Sequence, residues 1–558
     1  MSKFIQNIKS LLIVTVIMFF VNNNINSQET VVLTDTVKAS WRPIIGESSR
    51  ININPDIVKE TDLVKTDVSY SILKKEQYVP YNIIPINPAK IKGEPLTKLY
   101  KSYAKIGVGT RKSFMGEYYI NSIYSRDYTW GGYVKYRSSN GEIKNYDNTK
   151  YTDLNGSFYY KRIFSKNTLY GRVYCNSNFF NYYGYDANVF TNMEKDDIKQ
   201  YYIKPGLSLS YYNNEIDSNA INKKIGLSYK YISDYYKSQE HIISLKSTFD
   251  KYMNKEKVSL DFNTDIYQHS MLLADSLSAL IEATPYIKSE YQNLKFKVGL
   301  RLNSEIQGKA NIIAYPNIDI KYSVFNNYLT FYIGIDGQTE RNSLDALSNY
   351  NPYFNLLNYY AFKHVKKNAY GGIKAVIAKG LYVNLSGEYK NIENLALFTL
   401  DSNVTSRNLF NIIYDEADLV KVNGEIMYNK GDNLKIILSG NFYNYTTAIE
   451  EKPWGYHDLD ITLTSNYVFK DKIVLKGDVF YIGNQYIKYP NLTNEPSMVV
   501  GGNKLKNTVD FNLGLEYKYT KLLSAWVDFY NIASQKYYRF NNYPVYGFTV
   551  MGGLTYCF

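Results

Sequence analysis

The last eleven residues of the chain, 548–558, constrain its fold more than any other stretch. Side chains alternate between the two faces of a β-strand. One face of this stretch is apolar and ends in aromatic residues: Phe548, Val550, Gly552, Leu554, Tyr556 and Phe558. Soluble domains seldom stop on an exposed aromatic pair, because chain ends usually fray. The pattern therefore favours a membrane-facing strand over a strand of a soluble sandwich.

This ending resembles the C-terminal strand of bacterial outer-membrane barrels, in which a terminal Phe after alternating apolar residues is recognised by the assembly machinery. The resemblance implies that Tyr556 and Phe558 form an assembly signal. It also implies that the barrel-assembly machinery is a partner of this chain.

The aromatic content agrees with a barrel in a membrane. The chain has 60 Tyr and 26 Phe among 558 residues, more than a soluble core requires. Tyrosine combines an apolar ring with a polar hydroxyl, so it suits the aromatic girdles at both membrane interfaces. Beyond the first few dozen residues no run of about 18 apolar residues occurs, which excludes helical membrane spans.

The net charge of +12 comes from basic residues that are spread along the chain. Because they are not clustered, nucleic acid is not expected as a partner. Outer-membrane lipid, including lipopolysaccharide phosphates, or an anionic solute fits this charge better. The two cysteines, Cys175 and Cys557, fall on opposite strand faces, so no disulfide is expected.

From residue 99 the chain is a series of segments with an apolar and a polar face. Turn residues separate 22 such segments, which start near residues 99, 114, 129, 152, 168, 198, 221, 240, 257, 283, 295, 311, 328, 369, 381, 405, 433, 458, 473, 507, 524 and 543. We therefore predict an all-β fold, a transmembrane antiparallel β-barrel of about 22 strands with a short irregular N-terminal segment.

The connections alternate in length. Short turns include 165–167, 326–327, 379–380, 430–432 and 471–472, and longer loops lie near 139–151, 181–197, 268–282, 339–368, 391–404, 446–457 and 485–506. In outer-membrane barrels the short turns are periplasmic and the long loops are extracellular. The sequence thus predicts a barrel with both termini on the periplasmic side.

Three parts follow along the chain. Residues 1–27 have the basic start, the short apolar core and the polar end of a secretory signal peptide. Residues 28–98 are rich in proline, which disfavours helix and central strand, and are expected to form a periplasmic or lumenal N-terminal segment. Residues 99–558 form the predicted barrel.

The residues after the signal peptide and at the C-terminus resemble those of TonB-dependent receptors. Glu29, Thr30, Val31, Val32 and Leu33 resemble the TonB box, which pairs with TonB by strand addition; an ordinary strand or linker is the alternative. The segments 527–533 and 547–558 resemble the last two strands of these receptors. The resemblance implies a receptor or transporter in the cell outer membrane.

The segments 51–55, 88–96 and 351–353 look like short-plug or plugless receptor-like barrels of Bacteroidetes. The family pattern requires a plug of about twice the length of residues 28–98. Because the plug binds ligand and closes the lumen in that superfamily, energised uptake is not implied. The lumen is either partly closed by the N-terminal segment or open.

Catalysis is not expected. The four histidines, His241, His269, His364 and His457, show no metal-ligand spacing. His241 and His269 would be the candidates for a site assembled from distant residues. We expect no metal, no cofactor and no enzymatic activity.

Two groups of residues are candidates for contact with a solute. Basic residues on the predicted lumen face form a candidate anion stripe, with a charge-paired lumen network as the alternative: Lys295, Lys297, Arg301, Lys321, Lys390, Lys435, Lys476 and Lys518. Aromatic residues of the longest loop would fold inward, stack on a ligand or simply extend the wall: Tyr350, Tyr353, Phe354, Tyr359 and Tyr360.

The sequence therefore predicts a barrel for passage or uptake of a small polar solute, similar to TonB-dependent receptors without a full plug. The alternative is a structural or accessory barrel of a larger outer-membrane complex, whose lumen would be filled by loops and the N-terminal segment.

Overall fold

The computed structural model describes residues 100–558, apart from residues 124, 186–187, 191–192, 215–216, 271–274, 326–327, 356–359, 402–403, 405 and 489–502. The predicted signal peptide, N-terminal segment and TonB box lie outside this part. In the described part, 22 antiparallel strands form one sheet, and the last strand pairs with the first. The predicted fold class, a transmembrane antiparallel β-barrel of about 22 strands, is confirmed.

The barrel strands, numbered along the chain, are β1 (Ser102–Gly109), β2 (Ser113–Asn121), β3 (Tyr128–Ser139), β4 (Tyr151–Ile163), β5 (Asn167–Asn181), β6 (Lys199–Asn213), β7 (Asn222–Asp234), β8 (Gln239–Met253), β9 (Glu256–Ser270), β10 (Asp275–Tyr291), β11 (Leu294–Gln307), β12 (Lys309–Val324), β13 (Leu329–Arg341), β14 (Phe362–Ala378), β15 (Leu381–Leu400), β16 (Phe410–Lys430), β17 (Leu434–Thr447), β18 (Leu459–Phe469), β19 (Ile473–Ile482), β22 (Thr508–Lys518), β23 (Leu523–Tyr530) and β26 (Thr549–Cys557). Two short hairpins lie outside the barrel sheet: β20 (Gln485–Ile487) with β21 (Asn503–Leu505), and β24 (Tyr538–Phe540) with β25 (Tyr543–Pro544).

The described part contains a short helix, α1 (Leu344–Tyr350), between β13 and β14. Ser343 caps it, because its hydroxyl accepts a hydrogen bond from the Ala346 N–H at 3.2 Å. Among the described residues, no helix has the length and apolarity to cross a membrane.

The outer face of the barrel is apolar. Along β11, Val298, Leu300 and Leu302 are exposed on the outer face, and Gly299 and Arg301 between them face the lumen. Similar exposed apolar residues occur on neighbouring strands all round the sheet, which gives a continuous apolar band. Such a band is unfavourable in water and favourable in a bilayer. The barrel therefore lies in the outer membrane.

The two rims of the barrel differ. The longest connections all leave one rim, which we call the long-loop rim: 140–150, 182–198, 342–361, 401–409, 448–458, 483–507 and 531–548. Turns at the opposite, short-turn rim are brief, for example 254–255, 292–293 and 379–380. The first and last barrel strands meet at the short-turn rim, where the Ser102 N–H donates to the Phe558 carbonyl at 2.7 Å. The two strands pair in antiparallel register from Tyr103 opposite Cys557 to Gly109 opposite Met551.

The seam that closes the barrel depends on glycine. Gly107 on β1 lies directly opposite Gly553 on β26. A Cβ at Gly553 would lie 1.8 Å from the Ile106 carbonyl oxygen, and one at Gly107 would lie 2.4 Å from the Trp526 ring. The missing side chains let the two strands and the Trp526 ring approach each other.

Four of the predicted strand starts are wrong. The structure starts β10 at Asp275 rather than near 283, β14 at Phe362 rather than near 369, β16 at Phe410 rather than near 405, and β26 at Thr549 rather than near 543. The predicted loops 268–282 and 391–404 are also wrong. β9 and β10 occupy all of the first except 271–274, and β15 occupies residues 391–400 of the second. All four errors lie at the long-loop rim. β10 and β14 extend past the apolar band, where their side chains no longer alternate between apolar and polar. The predicted starts of β16 and β26 instead fall in the preceding loops 401–409 and 531–548.

Candidate functional site

The long-loop rim carries an aromatic and aliphatic core, which we call the loop core. Its buried members are Tyr202, Ile232, Leu344, Leu347, Phe354, Tyr360, Ala396, Phe398, Leu400, Phe410, Ile412, Ile487 and Tyr543. They come from loops and strand ends that are distant in sequence. A hydrophobic core at this position holds the loops together as one packed body.

Tyr353 is at the centre of the aromatic contacts. Its ring stacks on Tyr543 with centroids 3.6 Å apart, and it meets Phe180 edge to face at 5.4 Å. Tyr183 packs on the same pair, 4.9 Å from Tyr543 and 6.3 Å from Tyr353. Such aromatic pairs contribute roughly 0.5–1.5 kcal/mol each beyond the burial of their area.

These three tyrosines come from loops that leave the barrel at distant points. Tyr183 follows the fifth barrel strand, Tyr353 the thirteenth and Tyr543 the twenty-first. In a ring of 22 strands these points are separated by eight, eight and six strands. Because loops from such positions meet in one stack, they cross the mouth of the barrel instead of standing on its wall.

Hydrogen bonds join the same loops. The Phe410 N–H donates to the Tyr353 carbonyl at 2.9 Å, and the Asn355 N–H donates to the Phe410 carbonyl at 2.7 Å. The Tyr543 hydroxyl donates to the Asn408 carbonyl at 2.5 Å. Backbone hydrogen bonds thus join the loop 342–361 to the start of β16, and a tyrosine hydroxyl joins the loop 531–548 to the loop 401–409.

Ion pairs fix α1 to the barrel wall. The Asp345 carboxylate lies 3.1 Å from the Lys204 ammonium on β6 and 2.7 Å from the Lys230 ammonium on β7. Burial alone would raise the pKa of Asp345, but the two ammonium groups outweigh it and lower the pKa below its usual range. Asp345 is therefore ionised at neutral pH.

A buried polar pair lies beneath α1. Glu240 on β8 and His269 on β9 are directly opposite each other, and both are fully buried beyond the apolar band. Glu240 accepts one hydrogen bond, from the Asp345 N–H at 3.2 Å. Within the described chain its other carboxylate oxygen, both ring nitrogens of His269 and the Tyr360 hydroxyl have no hydrogen-bond partner. Each such group costs about 1–3 kcal/mol.

Burial shifts the pKa of each group in the direction that favours its neutral form. It raises the pKa of Glu240 to about 7, and together with the nearby Arg341 it lowers the pKa of His269 to about 4. The loop core thus rests on a pair of groups that oppose ionisation.

An open cavity of about 610 Å³ adjoins the loop core, and we call it the outer cleft. It is lined by polar and aromatic residues of four loops at the long-loop rim, among them Tyr146, Tyr185, Arg407, Lys536, Tyr538 and Asn542. The Lys536 ammonium lies 5.1 Å from the centroid of the Tyr146 ring. Basic and aromatic groups together can bind an anionic or aromatic solute.

The loop aromatics that the sequence singled out belong mostly to the loop core. Phe354 and Tyr360 are buried, and Tyr353 is partly buried. Tyr350 stacks on Phe398 at 5.2 Å and keeps an exposed edge. Tyr359 lies outside the described residues. Their contact with a ligand stays a prediction.

The candidate anion stripe lies on the inner face, and most of its members contact a carboxylate. The ion pairs are Lys295–Glu290 at 2.7 Å, Arg301–Glu282 at 3.4 Å, Lys321–Asp319 at 3.1 Å, Lys390–Glu388 at 2.9 Å and Lys476–Glu516 at 3.6 Å. Lys297 lies over the Tyr286 ring, and Lys435 and Lys518 lie opposite Asn466 and Ser524. These contacts favour a charge-paired network along much of the lumen. Anion selection by the stripe stays a prediction.

The two histidine candidates for catalysis lie on opposite faces of the barrel wall. His241 bonds the Tyr229 hydroxyl at 2.8 Å on the outer face, whereas His269 is buried on the inner face. No group of three or more His, Cys, Asp or Glu residues in the described chain could hold a metal ion.

Tyr556 and Phe558, the predicted assembly signal, stack at 5.6 Å on the exposed outer face.

Sequence reasoning missed most partners of the loop core, including Phe180, Tyr183, Tyr543 and Glu240. The density of tyrosine in 182–185 and 537–546 is the signal that could have indicated them. Both stretches join barrel strands through long loops, so their aromatic residues must either pack together or remain in water.

Comparison with known proteins gives a fold match. No protein-family model matches the chain, and no curated protein matches it by sequence. Solved structures do match. The ferric-catecholate import receptor Fiu from K12 E. coli has a TM-score of 0.61 at 11% identity, over 82% of each chain.

Two further structures match over similar lengths. The FrpB iron transporter from Neisseria meningitidis has a TM-score of 0.64 at 9% identity, over 83% of this chain and 82% of that one. The ferric enterobactin receptor PfeA from Pseudomonas aeruginosa has a TM-score of 0.61 at 11% identity, over 82% of this chain and 81% of that one. This chain has the fold of an outer-membrane receptor barrel. The fold is that of the TonB-dependent receptors that the sequence resembles, and these neighbours are transport receptors rather than enzymes.

Proposed function

We propose that this outer-membrane receptor barrel takes up a small polar solute and that the loop core is its gate. The contact of Tyr183, Tyr353 and Tyr543 carries the proposal, because it joins loops from three separate parts of the rim. An open porin would not need such a bridge. A solute would bind in the outer cleft and pass when the loop core opens.

The chemistry of the outer cleft supports an anionic or aromatic solute. Lys536 lies between the rings of Tyr146 and Tyr538, 5.1 and 5.8 Å from their centroids. The neighbouring structures include receptors for ferric catecholates and ferric enterobactin, which combine aromatic rings and negative charge. A solute with these two features is the one that the cleft suits best.

Energised opening requires a periplasmic partner. We propose that Glu29, Thr30, Val31, Val32 and Leu33 pair with TonB by strand addition. Cysteines at Val31 or Val32 would then form a disulfide with TonB. If no cross-link forms while the barrel is correctly inserted, the TonB proposal fails.

An accessory barrel of a larger outer-membrane complex is the second candidate. The same loop core favours it, because packed loops at the mouth would suit a protein that passes no solute.

Planar-bilayer conductance separates the two functions. We expect the mature chain, residues 28–558, to carry no current. The variant Tyr353→Ala/Tyr543→Ala should show stepwise increases in current as single barrels open. If neither form conducts, with or without residues 28–98, the transport proposal fails and the accessory role is favoured.

A further inference from the structure

Three lysines lie side by side on the lumen face near the short-turn rim. Lys257 on β9 is directly opposite Lys288 on β10, and Lys288 is directly opposite Lys297 on β11. We call these residues the lysine row. Their sequence neighbours Val258, Ile287 and Val298 are exposed on the outer face, so the lysines face the lumen. Like charges directly opposite each other destabilise a sheet.

Among the described residues, Lys257 is the one member of the lysine row with a carboxylate within 4.0 Å of its ammonium. Asp250 lies 2.6 Å from the Lys257 ammonium. Within the described chain, no carboxylate oxygen lies within 4.0 Å of the ammonium of Lys288 or Lys297. Both ammonium groups instead lie over the Tyr286 ring, 4.9 and 5.2 Å from its centroid. Two positive charges therefore remain beside one aromatic ring.

The row lines an open cavity of about 510 Å³, which we call the basic cavity. Its other lining residues add basic and hydroxyl groups: Tyr252, Lys255, Ser289, Lys295, Lys321 and Tyr370. Glu290 and Asp319 are its acidic residues, and they pair with Lys295 and Lys321. The groups left over are hydrogen-bond donors with positive charge, which suits a ligand with several negatively charged oxygens.

The chain's own N-terminal segment is not suited to supply the negative charge that would bind to the lysine row. Residues 28–98 contain nine acidic and ten basic residues, so the segment as a whole is not anionic. Lipid phosphates lie outside the barrel, on the opposite face of these strands. A solute in the lumen is the remaining source.

We propose that the lysine row binds a small solute that carries two or more negative charges on phosphate or carboxylate oxygens. The role of this site in uptake rests on the proposed function, but binding itself does not. The row then lies on the route from the outer cleft to the short-turn rim. The cost of its like charges is offset when the anion is bound.

Calorimetric titration of the purified full mature chain with inorganic pyrophosphate tests the site. We expect Lys288→Gln/Lys297→Gln to weaken binding at least tenfold. The matched control is Lys374→Gln/Lys421→Gln, which removes the same charge from two inner-face lysines that also lie over tyrosine rings, and it should change affinity less than twofold. Citrate, titrated in the same way, distinguishes carboxylate from phosphate oxygens as the preferred ligand atoms.

Equal weakening in both double variants would mean a general effect of charge and would overturn the proposal, as would the absence of binding to wild type. Thermal unfolding provides a second measurement. Pyrophosphate should raise the Tm of the wild type and not that of Lys288→Gln/Lys297→Gln. Binding without conductance in any form of the barrel would support this site and contradict the proposed transport, so the two failures are distinguishable.

Discussion

The ring of Tyr353 stacks on the ring of Tyr543 with centroids 3.6 Å apart and planes 19° from parallel. One residue comes from the loop after β13 and the other from the hairpin before β26. Their contact bridges the long-loop rim. The loop core therefore has the position of a gate, and its stability decides whether the barrel is closed.

Tyr353→Ala should loosen the loop core. Removal of a packed aromatic ring costs about 3 kcal/mol, which is roughly a hundredfold in the local opening equilibrium. Amide exchange of Phe410, whose N–H donates to the Tyr353 carbonyl, should accelerate accordingly. Tyr519→Ala is the control, because Tyr519 is 68% exposed at the short-turn rim. Unchanged exchange at Phe410 would contradict the packing role of Tyr353.

Gly553→Val should prevent closure of the barrel. The new Cβ would meet the Ile106 carbonyl at 1.8 Å, and such overpacking costs about 3 kcal/mol or more. We expect the folded, heat-modifiable band to disappear from unheated gels. Gly552→Val is the matched control, because its nearest atom would be 3.3 Å away. Normal folding of Gly553→Val would show that the seam does not require glycine.

Asp345→Asn should detach α1 from the wall. It leaves the buried Lys204 ammonium without a carboxylate, which costs about 3–5 kcal/mol. Protease cleavage within 342–361 measures the effect. Asp196→Asn removes an exposed ion pair with Lys199, which solvent screens, and should leave the cleavage rate unchanged. Lys204→Met in the Asp345→Asn background should restore resistance, and the absence of any rescue would argue against a charge effect.

The stability of the loop core should change with pH in opposite directions in two variants. Glu240→Gln leaves His269, whose pKa is about 4 in the folded state against 6.5 in the unfolded state. Stability should then fall as the pH decreases from about 6.5 to 4. His269→Phe leaves Glu240, whose pKa is about 7 against 4.5, so stability should fall as the pH increases from about 4.5 to 7. Each effect is on the order of 3 kcal/mol at its limit.

In the wild type the two effects oppose each other between about pH 4.5 and 6.5. The other charged groups that interact with this pair are Arg341, Asp345, Lys204 and Asp275, and they are unchanged in both variants. Protease resistance of the loop 342–361 across this pH range measures both slopes. Slopes of the same sign would show that Glu240 and His269 do not set the pH dependence.

The sequence predicted the barrel because lipid imposes a simple rule on each strand. Residues such as Val298 and Leu300 must be apolar where they face the bilayer, and their neighbours face the lumen. This alternation, together with the turn residues between the segments, predicted the number of strands. It also placed the candidate anion stripe on the inner face.

The contacts of the loop core could not be predicted from such a rule. Tyr183, Tyr353 and Tyr543 are separated by more than a hundred residues each, and their contact depends on where three loops bend. The pairing of Glu240 with His269 depends on the register of β8 and β9, which the sequence did not define to one residue. Local patterns contain no information on contacts of this kind.

Cysteine labelling on intact cells tests the closed gate most directly. In a Cys175→Ser/Cys557→Ser background, Thr464→Cys places a thiol at an exposed position on the lumen face of β18, and Ile449→Cys places one at an 83% exposed position in the loop 448–458. A membrane-impermeant maleimide should label position 449 and leave position 464 unlabelled. It should reach position 464 once Tyr353→Ala/Tyr543→Ala is added. Rapid labelling of position 464 with the loop core intact would contradict a closed mouth.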